Sequence, residues 1–222
     1  MLHLNMSLTR SRGFSLIEVV LAIGIFLISI LALVGLLGPT LKSVDDVEEA
    51  DEIASVVNTL NAFLQKSPDI APGSSKFNAI YNAVANGGYA TVFVYRAYLD
   101  ATSIEAGLTV GFWDEDADID QEALLGMQDF KSGENYLAAG TIYRAVLTPS
   151  SVLPEDERND NGQNSYPRYS LVNGIDTYPE GYFAMEVRIF AENPGPSFDP
   201  DLNVAVLQDV EPIFTYNTAI VR

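Results

Sequence analysis

The sequence predicts an α+β chain in which one long N-terminal helix, membrane-spanning in its first half and amphipathic in its second, packs on an antiparallel β-sheet. Three observations carry this. An almost unbroken apolar run fills residues 16–37. Apolar residues at steps of three and four follow, as far as Leu64. Beyond residue 88 come segments rich in aromatic and β-branched residues, separated by turn formers.

The apolar run sets the rest. Leu16 to Leu37 is 22 residues with Glu18 as its only charge. At helical rise it is about 33 Å long, enough to cross a bilayer's hydrocarbon. No small-residue cleavage site follows a shorter apolar core, so a secretory signal peptide fits poorly. Arg10 and Arg12 precede the span, whereas Asp45, Asp46, Glu48 and Glu49 follow it, with Lys42 the exception. The positive-inside rule then puts the N-terminus in the cytoplasm and the chain after the span outside. A carboxylate in a membrane helix costs about 2.5–3.5 kcal/mol at its centre and less near an interface. Glu18 therefore either reaches the headgroups or has a partner.

The run Gly13-Phe14-Ser15-Leu16-Ile17-Glu18, behind a short basic leader, resembles the processing site of type IV prepilins and pseudopilins. The likeness covers roughly residues 10 to 38. It implies a cut after Gly13 by a prepilin peptidase and N-methylation of Phe14 as the new N-terminus. It also implies that Glu18 faces the N-terminal ammonium of a neighbouring subunit during assembly. The implied partners are other pilin subunits in a homo- or hetero-filament, the peptidase, an inner-membrane assembly platform, and lipid before assembly. Residues 13–25 and the run Gly35-Leu36-Leu37-Gly38-Pro39-Thr40 are further similar to the prepilin-like Verru_Chthon cassette protein B group. Two other readings compete with a filament subunit. One is a minor pseudopilin of a type II secretion-like system; the other is an unprocessed membrane-anchored ligand-binding protein.

In chain order the expectations are a leader (1–13), a transmembrane and assembly helix (14–38), the amphipathic half of the helix (39–66) and an exported β-rich domain (67–222). Gly35, Gly38 and Pro39 predict a kink, because proline lacks a donor and clashes with the preceding turn. Leu41, Val44, Val47, Ile53, Val56, Val57, Leu60, Phe63 and Leu64 form the stripe that should pack on the domain. Residues 67–76 read as a loop, 77–85 as a short helix stopped by Asn86-Gly87-Gly88, and 89–99, 108–113, 141–148, 182–191 and 213–221 as strands. The resemblance implies a pilin-like arrangement of these elements.

Composition narrows the chemistry. The net charge of −18 becomes −20 once a leader carrying Arg10 and Arg12 is lost, and such a surface repels nucleic-acid phosphates. Cysteine is absent, unlike in many pilins with a C-terminal disulfide, and the single His3 lies in the leader. The mature chain therefore has no thiolate nucleophile or imidazole base, and no catalytic residues are expected. No cofactor is expected either, with calcium the exception to consider. Asp114, Asp116, Asp118 and Asp120 alternate as oxygen ligands would, but Ile119 and Leu125 stand where an EF-hand needs glycine and glutamate. Asp156 with Asn159-Asp160-Asn161-Gly162 is a weaker second acidic loop, interrupted by Arg158. Arg96, Arg144, Arg188 and Arg222, in or ending predicted strands, read either as solvated cations or as a basic stripe that receives the acidic helix face of another subunit. Tyr95-Arg96-Ala97 recurs as Tyr143-Arg144-Ala145.

Overall fold

The computed structural model describes residues 13–66, 69–71, 74–98, 102, 104–115 and 123–222. By internal contacts the chain separates into two units, Met1–Glu52 and Ile53–Arg222. Helix α1 (Leu16–Lys66) begins in the first and ends in the second.

In the first unit α1 is a helix without its own core. Nearly all its large apolar residues from Leu16 to Leu37 are exposed, and no part of its most apolar window is covered by protein. It is the helix among the described residues that is long and apolar enough to cross a membrane. Such a surface demands lipid or other chains around the whole circumference. Helical assignment continues without a break through Gly35, Gly38 and Pro39.

The second unit is built on a sheet. In chain order it contains β1 (Asp69–Ala71), β2 (Ser74–Ser75), α2 (Lys76–Gly87), β3 (Ala90–Tyr98), β4 (Ala106–Trp113) and β5 (Leu124–Leu125). Next come α3 (Met127–Phe130), β6 (Lys131–Ser132), β7 (Asn135–Tyr136), β8 (Ala138–Pro149), β9 (Arg158–Asp160) and β10 (Tyr169–Leu171). The chain ends with β11 (Tyr182–Glu192), a 3₁₀ turn at Val204–Asp209 and β12 (Phe214–Val221). The six-stranded sheet has the order β12-β11-β8-β3-β4-β5, antiparallel except for β4 with β5. The five strands predicted from sequence are its five long members.

Both faces of the sheet are covered, which is why β3 reads as a continuous apolar run instead of an alternating one. Val92 and Val94 point to the helical side, where Val56, Leu60, Phe63 and Leu64 of α1 and Phe77, Ile80, Tyr81 and Val84 of α2 fill the main core. Phe93 and Tyr95 point to the opposite side, where they meet Phe130 and Ile142. There Phe93 and Phe130 pack edge-on at 5.0 Å, and Tyr95 stacks on Phe130 at 4.8 Å. The Tyr-Arg-Ala triplets are therefore no repeat. They lie on neighbouring antiparallel strands, and Tyr95 faces the second core while Tyr143 faces the helical one.

Helix α2 starts one residue before its predicted range and ends two after it. Ser75 caps its start by accepting from the Asn78 amide, and Gly88 ends it at φ +83°, a backbone state that favours glycine. Lys76 is buried where sequence would leave a lysine in water. Its Nζ donates to the Phe63 carbonyl in the last turn of α1 and lies 4.3 Å from the Phe63 ring centre, so the ammonium closes a helix end. Burial lowers its pKa from the ordinary lysine value.

The apolar stripe runs from the first unit into the second. Val56, Leu60, Phe63 and Leu64 are buried, and Val57 packs against them, but Val44 is 49% exposed and Val47 60%. The second compact unit begins at Ile53.

Candidate functional site

The start of α1 is where sequence pattern, local geometry and exposure converge. Gly13 precedes the helix in non-helical backbone. A Cβ added to it would meet no atom within 4 Å, and its φ lies outside the left-handed range. Among the described residues, neither packing nor backbone strain requires glycine there. Phe14 is 82% exposed, so its ring contributes little to folding.

Ser15 and Glu18 form a reciprocal cap. The Glu18 amide donates to Ser15 Oγ at 3.3 Å, and the Ser15 amide donates to Glu18 Oε2 at 3.4 Å. The Glu18 and Val19 amides also reach the Ser15 carbonyl, at 3.1 and 3.2 Å. A helix start leaves four donors without partners, and the Ser-x-x-Glu pattern satisfies two of them. The acidic side chain also sits at the positive end of the helix dipole. This role of Ser15 was legible in Ser15-Leu16-Ile17-Glu18, a capping-box signature that weighing Glu18 only between the headgroups and a partner subunit overlooks. Further along, Ser29 Oγ donates to the Ile25 carbonyl at 2.8 Å, so the hydroxyl inside the apolar span is satisfied within the helix.

Other residues singled out from sequence fall elsewhere. The leader residues 1–12, with Arg10, Arg12 and His3, lie outside the described residues. So do Asp116, Asp118 and Asp120. Asp114 follows β4, and its backbone amide donates to the Leu125 carbonyl at 3.1 Å. Among the described residues no group of three or more His, Cys, Asp or Glu could hold a metal ion. The second acidic loop closes the β9–β10 hairpin. Asp160 Oδ1 accepts from the Gly162 amide at 2.8 Å, Asp160 Oδ2 lies 3.5 Å from Arg168, and Asn161 Nδ2 donates to the Pro167 carbonyl. These side chains hold a turn.

The basic stripe is corrected by the structure. Arg144 is fully buried and forms two hydrogen bonds to Glu192, with further donation to the carbonyls of Asp199 and Pro200. Its guanidinium also lies 4.7 Å from the Phe93 ring centre. Arg188 pairs with Glu186 at 2.8 Å and stacks on Tyr166. Arg222 donates to the carbonyls of Ile175 and Tyr178. Arg96 is exposed on β3. Arg144 faces the second core, and its planar fork fastens the 192–200 segment to the sheet, a role a point-charge lysine could not copy.

The domain also carries an open cleft of about 550 Å³ that the sequence did not announce, lined by Tyr95, Tyr98, Leu108, Gln128, Asp129 and Lys131 among others. Burial raises the Asp129 pKa, partly offset by the Gly126 amide, which donates to Oδ2 at 2.8 Å. That carboxylate caps α3, so its bond is accounted for by the fold.

Residues 8–34 match the family model described as the prokaryotic N-terminal methylation motif. No curated protein and no solved structure matches the chain. The match takes in Gly13, Phe14, the Ser15–Glu18 cap and most of the exposed apolar span, and leaves out the β-rich unit. Over these residues the chain carries a prepilin-type N-terminus of the type IV pilin-like kind.

Proposed function

We propose that this chain is a structural subunit of a type IV pilus-like or pseudopilus filament. A prepilin peptidase cuts between Gly13 and Phe14, and Phe14 becomes the methylated N-terminus. The span holds the subunit in the inner membrane with its N-terminus cytoplasmic until assembly. Helices from many subunits then supply the apolar surroundings that the span lacks in a single chain. Glu18 meets the ammonium of a neighbour's Phe14, which offsets the cost of its charge in a dry bundle. The β-rich units form the periplasmic or extracellular surface, and the role is structural, without catalysis.

The observation that carries this reading is the methylation motif at residues 8–34, over a glycine and a phenylalanine that the fold itself does not require. The N-terminus of protein purified from membranes tests it by mass spectrometry. The expected species starts at Phe14 and bears one additional methyl group. A chain that keeps Met1 through Gly13 overturns the proposal and favours the anchored ligand-binding reading.

A further inference from the structure

An asparagine followed by glycine is open to losing its side-chain amide, because glycine puts no Cβ in the way of its own nitrogen. The chain has three such pairs, Asn86-Gly87, Asn161-Gly162 and Asn173-Gly174. Their surroundings differ. Asn86-Gly87 closes α2, where regular helical backbone holds the side-chain carbon away from the following nitrogen. The Gly162 amide already donates to Asp160 Oδ1 at 2.8 Å. The Asn161 side chain is held at both ends, by the Pro167 carbonyl and the Ser170 hydroxyl. Gly174 lies outside helix and strand, and among the described residues its amide has no hydrogen-bond partner.

Asn173 also holds parts of the domain together. Its carbonyl accepts from the Tyr81 hydroxyl at 2.8 Å, and its Nδ2 donates to Glu157 Oε2 at 3.0 Å. One residue thus ties the segment after β10 both to α2 and to the residue that precedes β9. Glu157 is only 5% exposed, and among the described residues no other side chain donates to its carboxylate.

We propose that Asn173-Gly174 is a self-modification site, where the chain deamidates without an enzyme and loosens the junction between α2 and the β9–β10 hairpin. The Gly174 nitrogen bonds to Asn173 Cγ, the Cγ–Nδ2 bond breaks, and the Gly174 proton leaves with Nδ2 as ammonia. Water then opens the cyclic imide at one of its two C–N bonds, leaving aspartate or isoaspartate at position 173. No electrons are exchanged, and water is the only co-reactant. The aspartyl product has a carboxylate where Nδ2 used to donate, so two like charges face each other in a site that water hardly reaches. The isoaspartyl product instead takes the carbonyl that Tyr81 uses out of the main chain.

The test incubates the full chain in detergent under mildly alkaline buffer and maps its peptides by mass spectrometry. Conversion at Asn173 should run severalfold faster than at Asn86 or Asn161. Gly174→Ala should slow it severalfold and leave the fold intact, because an added Cβ meets no atom within 4 Å and the Gly174 φ lies outside the left-handed range. Asn173→Asp, which reproduces one product, should raise the unfolding equilibrium constant about fivefold or more. The rise should be smaller when Glu157→Gln has removed the facing charge. Faster conversion at either other pair, or no slowing with Gly174→Ala, overturns the proposal. So does an Asn173→Asp chain that loses no stability, or loses the same amount with and without Glu157→Gln. None of these readings depends on N-terminal processing.

Discussion

Two stretches of the same helix, residues 16–38 and 53–66, obey different rules. The first is apolar around its whole circumference, with Leu16 85%, Ile28 69% and Leu31 70% exposed. The second is apolar on one side only: Leu60 and Leu64 are buried while Gln65 and Lys66 stay in solvent. Burying a Leu-sized side chain is worth about 1.5–3 kcal/mol, so both stretches hold free energy that a fold can use. The second spends it within its own chain. The first can recover it only from lipid or from other chains, and that difference is what marks a polymerising or anchoring segment off from a core helix.

The largest expected effect breaks the first stretch at its charge. Glu18→Val should leave membrane insertion intact and abolish filaments, read by electron microscopy of sheared cells. The Ser15–Glu18 cap makes a second variant necessary, because valine removes both the charge and a helix cap worth about 1 kcal/mol. Glu18→Gln keeps an acceptor for the Ser15 amide and removes only the charge. Loss of filaments in both variants assigns the role to the charge. Normal filaments with glutamine and none with valine would assign it to the cap.

Alkaline pH should then separate the two stretches. Tyr81 is pushed up to about 12 by burial first and Glu157 second, with Arg222 opposing, and Tyr216 is pushed up to about 12 by burial. Burial also raises Tyr95, Tyr166 and Tyr178. An unfolded tyrosine releases its proton near pH 10, so between about 10 and 12 the folded state binds more protons and stability falls as pH rises. Lys76, lowered by burial, works in the opposite direction below its ordinary value, but it is one group against five. The domain's near-ultraviolet dichroism should therefore collapse across that window while helix signal from the span persists. Loss of both together would mean the two stretches melt as one.

Within the domain, Arg144→Met should cost about 3–5 kcal/mol in denaturant unfolding, because it strands Glu192 and the carbonyls of Asp199 and Pro200. Adding Glu192→Leu should recover part of the loss. Leu60→Ala, at a fully buried position, should cost about 2–5 kcal/mol.

These values also show what sequence could and could not deliver. The long helix, the short helix before Gly88 and all five long strands were legible because their apolar periods and turn residues agree with the fold. Gly13, Phe14 and Glu18 were legible as a spaced motif. The fate of Arg144 was not, since an arginine in a strand reads the same in water or in a core, and only the distant Glu192, Asp199 and Phe93 decide it. Lys76 failed for the same reason: its partner, the Phe63 carbonyl, carries no sequence signal. The exposure of Val44 and Val47 was not legible, because periodicity reports which face of a helix is apolar but not what covers it.

That last point gives the smallest effect and the sharpest control. Val47 and Leu60 belong to one stripe, so periodicity treats them alike, yet Val47 is 60% exposed. A valine in water loses little on truncation, and exposed substitutions usually stay within about 0.5 kcal/mol. Val47→Ala should therefore leave unfolding of the detergent-solubilised monomer unchanged within about that margin. Whether it alters assembly is a separate reading, because an exposed apolar residue before Ile53 has no partner in its own unit's core and is free to gain one from another subunit. A loss above 1 kcal/mol in the monomer would mean that Val47 packs against the domain in solution. An unchanged monomer with weakened filaments would confirm that the stripe serves two masters, the domain after Ile53 and neighbouring chains before it.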